Sequence, residues 1–276
     1  MVVTRFAPSP TGPLHLGHAY AAIVAHDMAR AAGGRFLLRM EDIDRQRSRG
    51  GWDQACLDDL AWLGLTWDGL LYQSTRLPAY QAALDRLEAM GLLYGCTCTR
   101  GDIKAALSAP QGGILPSEGP DGLVYPGTCR GKPVTSGALR LDLTRAVNRA
   151  PHLEFTETGT RPGLHRIDPL QMLSEVGDVV LARRDMGTSY HLSVVVDDAF
   201  QGVTHVTRGE DLFEATQIHV LLQRLMGLSS PIWHHHALIR DDEGRRLAKR
   251  DDARALMTYR AEGATPADIR RMVGLG

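Results

Sequence analysis

The first forty residues switch hydrophobic period twice. Val2 to Phe6 is a short β-prone run, and the proline- and glycine-rich stretch PSPTGPLHLGH, residues 8–18, follows it. HAYAAIVAHDMARAAGG then has the alanine-rich content of a helix, which Gly33 and Gly34 stop. Arg35 to Met40, RFLLRM, predicts a second strand. Together these form a βαβ unit of a parallel sheet, in which ligands bind beyond the carboxyl ends of the strands. His15 and His18 fall at that end. Further along, the apolar run Val194 to Val196 reads as a buried parallel strand, and a second β-prone stretch ends in Arg208, Gly209, Glu210 and Asp211. His234, His235 and His236 fall on another strand-like stretch, where neighbours point to opposite faces and cannot share one ion. Thr265, Pro266 and Asp268 supply an N-cap, a first-turn proline and a first-turn acid for one last short helix.

Composition narrows the class. The chain has 276 residues, 43% of them hydrophobic, which is enough for a sizeable core. Its 31 Lys and Arg balance 32 Asp and Glu, so a nucleic-acid partner must be met by a local basic face. No stretch of about 18 apolar residues occurs, and the start lacks the pattern of a secretion signal, so a cytoplasmic protein without membrane contact is expected. Cys96, Cys98 and Cys129 cluster while Cys56 stands alone in a helix-like stretch, which fits a metal site in a reducing compartment better than a disulfide framework.

Neither a Walker loop nor a dinucleotide glycine fingerprint is present. The loop at 8–18 nonetheless has phosphate-binding parts: Gly17 allows close backbone approach, a helix start offers N–H groups, and two imidazoles stand beside it. RFAPSPTGPLHLGH at 5–18 resembles the opening of glutamyl-tRNA synthetases, with HLGH matching the HIGH motif of class I aminoacyl-tRNA synthetases. RMEDIDRQR at 39–47 and SYHLSVVVDDAFQGVTHVTRGEDL at 189–212 resemble later segments of that family. GRRLAKRDDA at 244–253 resembles its KMSKS loop, with arginine in place of the first lysine and alanine in place of the serine.

The resemblance implies an α/β fold: a Rossmann-like, doubly wound parallel sheet with an inserted zinc-bearing subdomain at about 94–185 of a single catalytic domain spanning 1–276. It also implies ATP with Mg²⁺ as substrate and L-glutamate as the amino acid. His15, His18 and Lys249 would be catalytic, and His15, Gly17, His18, Arg246 and Lys249 would meet ATP. Glutamate would be bound by Arg5, Phe6, Ala7, Pro8, Ser9, Glu41, Tyr190 and Arg208, with Arg5 on the side-chain carboxylate and Glu41 and Tyr190 on the ammonium.

Three cysteines need one more ligand for a tetrahedral zinc, and no histidine lies between Cys98 and Cys129. The pattern C-x-C followed by Y-x-x-x-C resembles the insert of the glutamyl-queuosine branch of the family, which implies structural Zn²⁺ on Cys96, Cys98, Tyr125 and Cys129. Residues 108–122 read as a flexible insertion between these ligands. The short stretch after the KMSKS-like loop leaves no room for a C-terminal anticodon-binding domain, which also resembles that branch. The expected acceptor is then the queuosine base of tRNA(Asp), and the protein is expected to be a monomer. Two other readings remain open: a minimal synthetase charging the 3′ end of tRNA(Glu), and a catalytically silent paralogue that binds tRNA or a partner.

Overall fold

The computed structural model describes residues 1–44, 46–48, 51–108, 118–133, 136–239 and 254–276. Along the chain lie Val3–Phe6 (β1), Leu16–Ala31 (α1), Arg35–Met40 (β2), Trp52–Trp62 (α2), Leu70–Tyr72 (β3), Leu77–Ala89 (α3), Leu93–Cys96 (β4) and Arg100–Ser108 (α4). Glu118–Gly119 (β5), Gly122–Leu123 (β6), Ala138–Leu141 (β7), Leu143–Arg149 (α5), Glu154–Glu157 (β8), Gly163–Arg166 (β9) and Pro169–Glu175 (α6) follow. The last are Val180–Ala182 (β10), Tyr190–Gln201 (α7), His205–Gly209 (β11), Thr216–Leu225 (α8), Ile232–His236 (β12), Leu256–Ala261 (α9) and Pro266–Met272 (α10).

The expected βαβ unit is present. β1 and β2 pair in parallel, Val3 opposite Arg35 and Phe6 opposite Leu38, and β3 extends β2 in the same sense. Ala19, Ala22, Ala25 and Ala29 put small side chains on the buried face of α1. On the other side of β1, Thr204 N–H donates to Val3 O at 2.9 Å and Arg5 Nη1 donates to Thr207 O at 3.1 Å, so β11 runs alongside β1 in the same direction. β12 and β8 follow in parallel, and β9 closes that edge antiparallel. The strands form a three-stranded sheet, β1-β2-β3, and a four-stranded one, β11-β12-β8-β9, set with β1 beside β11, and the direction of chain winding reverses between these two strands. A ligand crevice forms at such a reversal.

A separate sheet, β10-β7-β4, is antiparallel and carries Cys96 at the end of β4. β5 and β6 make a two-stranded hairpin beside it. Two clusters of apolar side chains fill the interior, one built around Trp233 and Leu181, the other around Phe36 and Ile23. No helix among the described residues is long and apolar enough to cross a membrane.

One expectation fails. Val194 to Val196 lie inside helix α7, not in a strand. Ser189 caps the start, its hydroxyl accepting from Leu192 N–H at 3.4 Å, and Gly202 ends the helix with φ +65° in the left-handed conformation. Leu192, Val195 and Asp198 recur at helical spacing and are all buried. The β-branched penalty is only a few tenths of a kcal/mol per residue and is overridden by burial of this face. The terminal expectation holds: Thr265 caps α10 and accepts from Asp268 N–H while Asp268 accepts from Thr265 N–H.

Candidate active site

His15 is the N-cap of α1. Its Nδ1 accepts from Gly17 N–H at 3.1 Å, and His18 Nδ1 accepts from His15 N–H at 3.2 Å, so two imidazoles form a capping box normally built from hydroxyl and carboxylate. A neutral ring whose Nδ1 accepts carries its proton on Nε2. The cap therefore fixes both tautomers and orients both Nε2–H donors. Each flank of the undescribed stretch 240–253 comes back to this loop. His236, at the end of β12, meets the Tyr20 ring edge-on at 4.9 Å, and Leu256 N–H donates to Leu14 O at 2.8 Å with Ala255 bridged to His15. Arg246 and Lys249 lie outside the described residues.

Across the crevice, Arg5 on β1 and Arg39 on β2 share one face, because Arg5 stands opposite Leu37 and Arg39 is two residues on. Both reach Asp198 of α7: Arg5 Nε at 3.0 Å and Arg39 Nη1 at 2.6 Å. Burial by itself would raise the Asp198 carboxyl, but the two guanidiniums outweigh it and hold it below the usual carboxylate range. Arg39 Nη2 also lies 3.4 Å from Glu41 Oε1. Burial pushes the Glu41 carboxyl up, against the pull of Arg39 and Arg5. Glu41 N–H donates to Pro8 O at 2.9 Å, tying the end of β2 to the Phe6-Ala7-Pro8-Ser9 segment at the end of β1. Asp197, next in α7, accepts from Tyr80 Oη at 2.6 Å, Gln73 Nε2 at 3.0 Å and Arg76 Nε at 3.2 Å.

Arg208, at the end of β11, is buried and differs from Arg5 in having no carboxylate within ion-pair distance among the described residues. Its donors go to neutral acceptors: Nε to His235 Nε2 at 3.1 Å, Nη1 to His219 Nδ1 at 3.0 Å, and Nη2 to Leu212 O at 3.0 Å and Thr216 Oγ1 at 2.7 Å. The Trp233 ring lies 4.5 Å beneath it. Tyr190, in the first turn of α7, lies close enough to the same guanidinium to act on it electrostatically. His235 turns Nδ1 to Glu157 Oε2 at 2.5 Å, and Glu157 Oε1 accepts from His235 N–H at 3.0 Å. Burial, with Arg208 adding to it, pushes His235 down to about 4, so it stays neutral and accepts. His219 is held well below its usual range, chiefly by burial and then by Arg208. Three arginines thus gather with three carboxylates between strand ends: Asp198 and Glu41 meet Arg5 and Arg39 directly, whereas Glu157 reaches Arg208 only through neutral His235, so Arg208 has no carboxylate in direct contact among the described residues. Such a site suits an anionic ligand.

The residues expected from sequence come together here: Arg5, Glu41, Tyr190 and Arg208 line one side, and His15, Gly17 and His18 form the loop. Arg39, Asp198, Glu157 and His219 are residues of this centre that the sequence does not single out. Arginines in otherwise apolar strands were the available signal, since each needs a buried acceptor. As expected, the three consecutive histidines diverge: His235 enters this network while His234 Nδ1 lies 3.1 Å from Thr158 Oγ1.

In the β10-β7-β4 sheet, Cys96, Cys98 and Cys129 bring their sulfurs within 4.8 Å of one another. The Cys96 thiol donates to Tyr125 Oη at 3.3 Å, and Cys98 Sγ is 3.4 Å from the same oxygen and 3.5 Å from Cys129 Sγ. Tetrahedral zinc with about 2.3 Å bonds to sulfur sets sulfur–sulfur edges of about 3.8 Å and, with a nearer oxygen, sulfur–oxygen edges of about 3.5 Å. The observed edges of 3.3–3.5 Å lie close to those values, and the three cysteines are grouped closely enough to hold such an ion. Cys129 N–H donates to Tyr125 Oη at 2.9 Å, and the Arg140 guanidinium lies 3.8 Å over the ring, but burial and the three neighbouring thiols push the phenol well up, so it stays a hydroxyl that can donate to sulfur. Hydrogen bonding from Tyr125 pulls the Cys129 thiol down to about 6.

The catalytic-domain family described as tRNA synthetases class I (E and Q) matches residues 1–112 and 168–275. The chain belongs to that family. This class I synthetase is 65% identical to a Glutamyl-Q tRNA(Asp) synthetase of Rhodobacter capsulatus, over 99% of this chain and 100% of that one. It is 44% identical to a protein of the same description from Symbiobacterium thermophilum, over 98% of this chain and 84% of the relative. A glutamate tRNA ligase of Elizabethkingia meningosepticum, crystallised with its amino acid, superposes with a TM-score of 0.78 at 26% identity. That match takes in 100% of this chain and 61% of the ligase, so the chain spans somewhat less than two thirds of it. The class I α/β fold with its parallel sheet is thereby shown, as the HLGH loop implied.

Proposed function

We propose that this protein activates glutamate with ATP and transfers it to the queuosine base of tRNA(Asp). The observation that carries the reading is near-complete, 65% identity to a relative of that description, joined to buried arginines at the strand ends, one of which, Arg208, touches no carboxylate among the described residues. In the first step the glutamate α-carboxylate attacks the α-phosphorus of ATP, and the O–P bond to pyrophosphate breaks. Positioning and charge stabilisation carry such a step. The Nε2–H groups of His15 and His18, set by their cap, donate to phosphate oxygens, and Lys249 and Arg246 stabilise the departing pyrophosphate with Mg²⁺. Arg5 takes the side-chain carboxylate in its planar fork. Glu41 and Tyr190 receive the ammonium, and Arg208 supports the acid. Phe6 to Ser9, which lead from Arg5 into the loop, complete the glutamate site. In the second step a hydroxyl of the queuosine diol attacks the activated carbonyl and AMP leaves.

Cys96, Cys98, Tyr125 and Cys129 would hold a structural zinc, which would crosslink β4 to the 125–129 loop. The antiparallel sheet β10-β7-β4 and this cluster support reading about 94–185 as an insert in one catalytic domain. β8, within that range, nonetheless pairs with β12 of the four-stranded sheet, Glu157 against Trp233. A monomer in the cytoplasm suits this reading.

The decisive experiment offers labelled glutamate and ATP with queuosine-containing tRNA(Asp), the same tRNA lacking queuosine, and tRNA(Glu). Label on the first alone supports the proposal. Label on tRNA(Glu) makes this a minimal charging synthetase, and no label without pyrophosphate exchange makes it a silent paralogue.

A further inference from the structure

The Arg208 network continues past His219 to a part of the molecule that the reaction scheme does not use. Arginine only donates, so His219 Nδ1 must accept, and the ring proton sits on Nε2. His219 Nε2 is 3.1 Å from His191 Nδ1, so His191 accepts there and carries its own proton on Nε2. That nitrogen is 3.5 Å from Asp121 Oδ1, at the turn between β5 and β6. Each tautomer is dictated by the one before it, and the chain Arg208–His219–His191–Asp121 runs one way, from strand end to hairpin. His219 and His191 are buried, while the Asp121 side chain is 42% exposed. His191 directly follows Tyr190 in α7, and both rings pack against His219, at 5.7 Å and 5.3 Å between centroids.

We propose that Asp121, His191 and His219 are positioning residues for glutamate, through which the β5–β6 hairpin holds Arg208 and Tyr190 in binding geometry. The proposal rests on the reading of Arg5, Arg208 and Tyr190 as the glutamate site. On the far side Glu157 and His235 clamp Arg208 from β8 and β12, with Gly159 packed so closely on His235 that a Cβ there would meet its carbonyl oxygen at 2.0 Å. That clamp is fixed by the sheet. The Asp121 arm is the adjustable one, because it reaches the guanidinium through two rings from a surface turn. Residues lying between Cys98 and Tyr125 thereby gain a role in amino-acid affinity that their distance from the strand ends in sequence does not suggest.

The test is pyrophosphate exchange by the full-length protein, with glutamate and ATP varied separately. Asp121→Ala, at an exposed turn that leaves the core intact, should raise KM for glutamate about three- to tenfold while kcat and KM for ATP hold, as loss of one contact between a carboxylate and an imidazole N–H predicts. Asp121→Asn keeps an acceptor for His191 Nε2–H and should return KM to the wild-type value. His219→Asn keeps an acceptor for Arg208 Nη1 but cuts the link onward, and should match Asp121→Ala. An unchanged KM in Asp121→Ala, or parallel losses for glutamate and ATP, would overturn the relay. Wild-type protein that exchanges with no glutamate would overturn the site reading and the relay together, whereas an active wild type with a silent Asp121→Ala removes the relay alone.

Discussion

The molecule holds two buried polar centres that are opposite in what they lack. At the strand ends, Arg5 and Arg39 meet Asp198 and Glu41, while Arg208 meets only neutral acceptors, with Glu157 held behind His235, and a guanidinium without a carboxylate in contact fits an anion. In the β10-β7-β4 sheet, three thiols and a phenol converge with only their own weak hydrogen bonds between them, and the excess of donor electrons fits a cation. The first centre is largely satisfied before any ligand arrives, because its guanidiniums already hold carboxylate, carbonyl and imidazole partners. The second is not. A preorganised site keeps its shape without ligand, whereas a centre of coupled thiols depends on the ion for its final geometry.

The largest effect should come from removing the counter-charge of the first centre. Asp198→Ala strands two buried guanidiniums and should cost about 3–5 kcal/mol of stability, read by urea denaturation. A loss under about 1 kcal/mol would mean that the centre is open to water and not preorganised. Next comes the histidine loop. His18→Asn retains an acceptor where Nδ1 caps α1 but loses Nε2–H, so kcat for exchange should fall about 10²- to 10³-fold with the melting temperature held. His18→Ala should lose the cap as well, a further cost of about 1 kcal/mol. A His18→Asn protein with wild-type kcat would reduce His18 to a structural cap.

The second centre should respond to metal. Purified protein should carry about one zinc per chain; Cys129→Ala should lose it, and chelation should lower the melting temperature while leaving the first centre able to bind glutamate. Metal-free protein as stable as the untreated protein would make the thiols an ordinary reduced cluster. The mildest effect is on pH. His235 is lowered from its ordinary 6.5 to about 4, so the unfolded chain takes a proton in that window while the fold does not. Stability through His235, which faces Glu157, Arg208 and His236, is therefore complete above about 6.5 and falls as pH drops toward 4. His235→Gln should flatten that limb of the melting profile.

How much was legible differs between the same two centres. HLGH after an apolar strand placed the histidine loop at a strand end, and its capping geometry follows from two imidazoles at a helix start. Cys96, Cys98 and Cys129 announced by residue type alone a cluster of thiols that could hold a metal, and their sulfurs do converge. Hidden from a linear reading were the acceptors of the arginines: Asp198 lies 193 positions from Arg5 and 159 from Arg39, and a charge in an apolar run does not reveal which element supplies its partner. Val194 to Val196 misled for a related reason, since β-branched content is a weak local preference and the deciding marks were Ser189 and Gly202 at the ends.

By itself, then, the sequence determined the elements whose causes are local: the βαβ start with its glycine stop, the Thr265 cap with its proline, and the chemistry available from the thiols. Those follow from propensities, caps and side-chain types that act within a few residues. The tertiary structure alone decided that α7 lays Asp198 under two strands, that Glu157, His235 and His219 surround Arg208, and that a surface turn at Asp121 reaches His191. These pairings join residues far apart in the chain. They are selected because a buried charge or donor left without a partner costs more than any local preference.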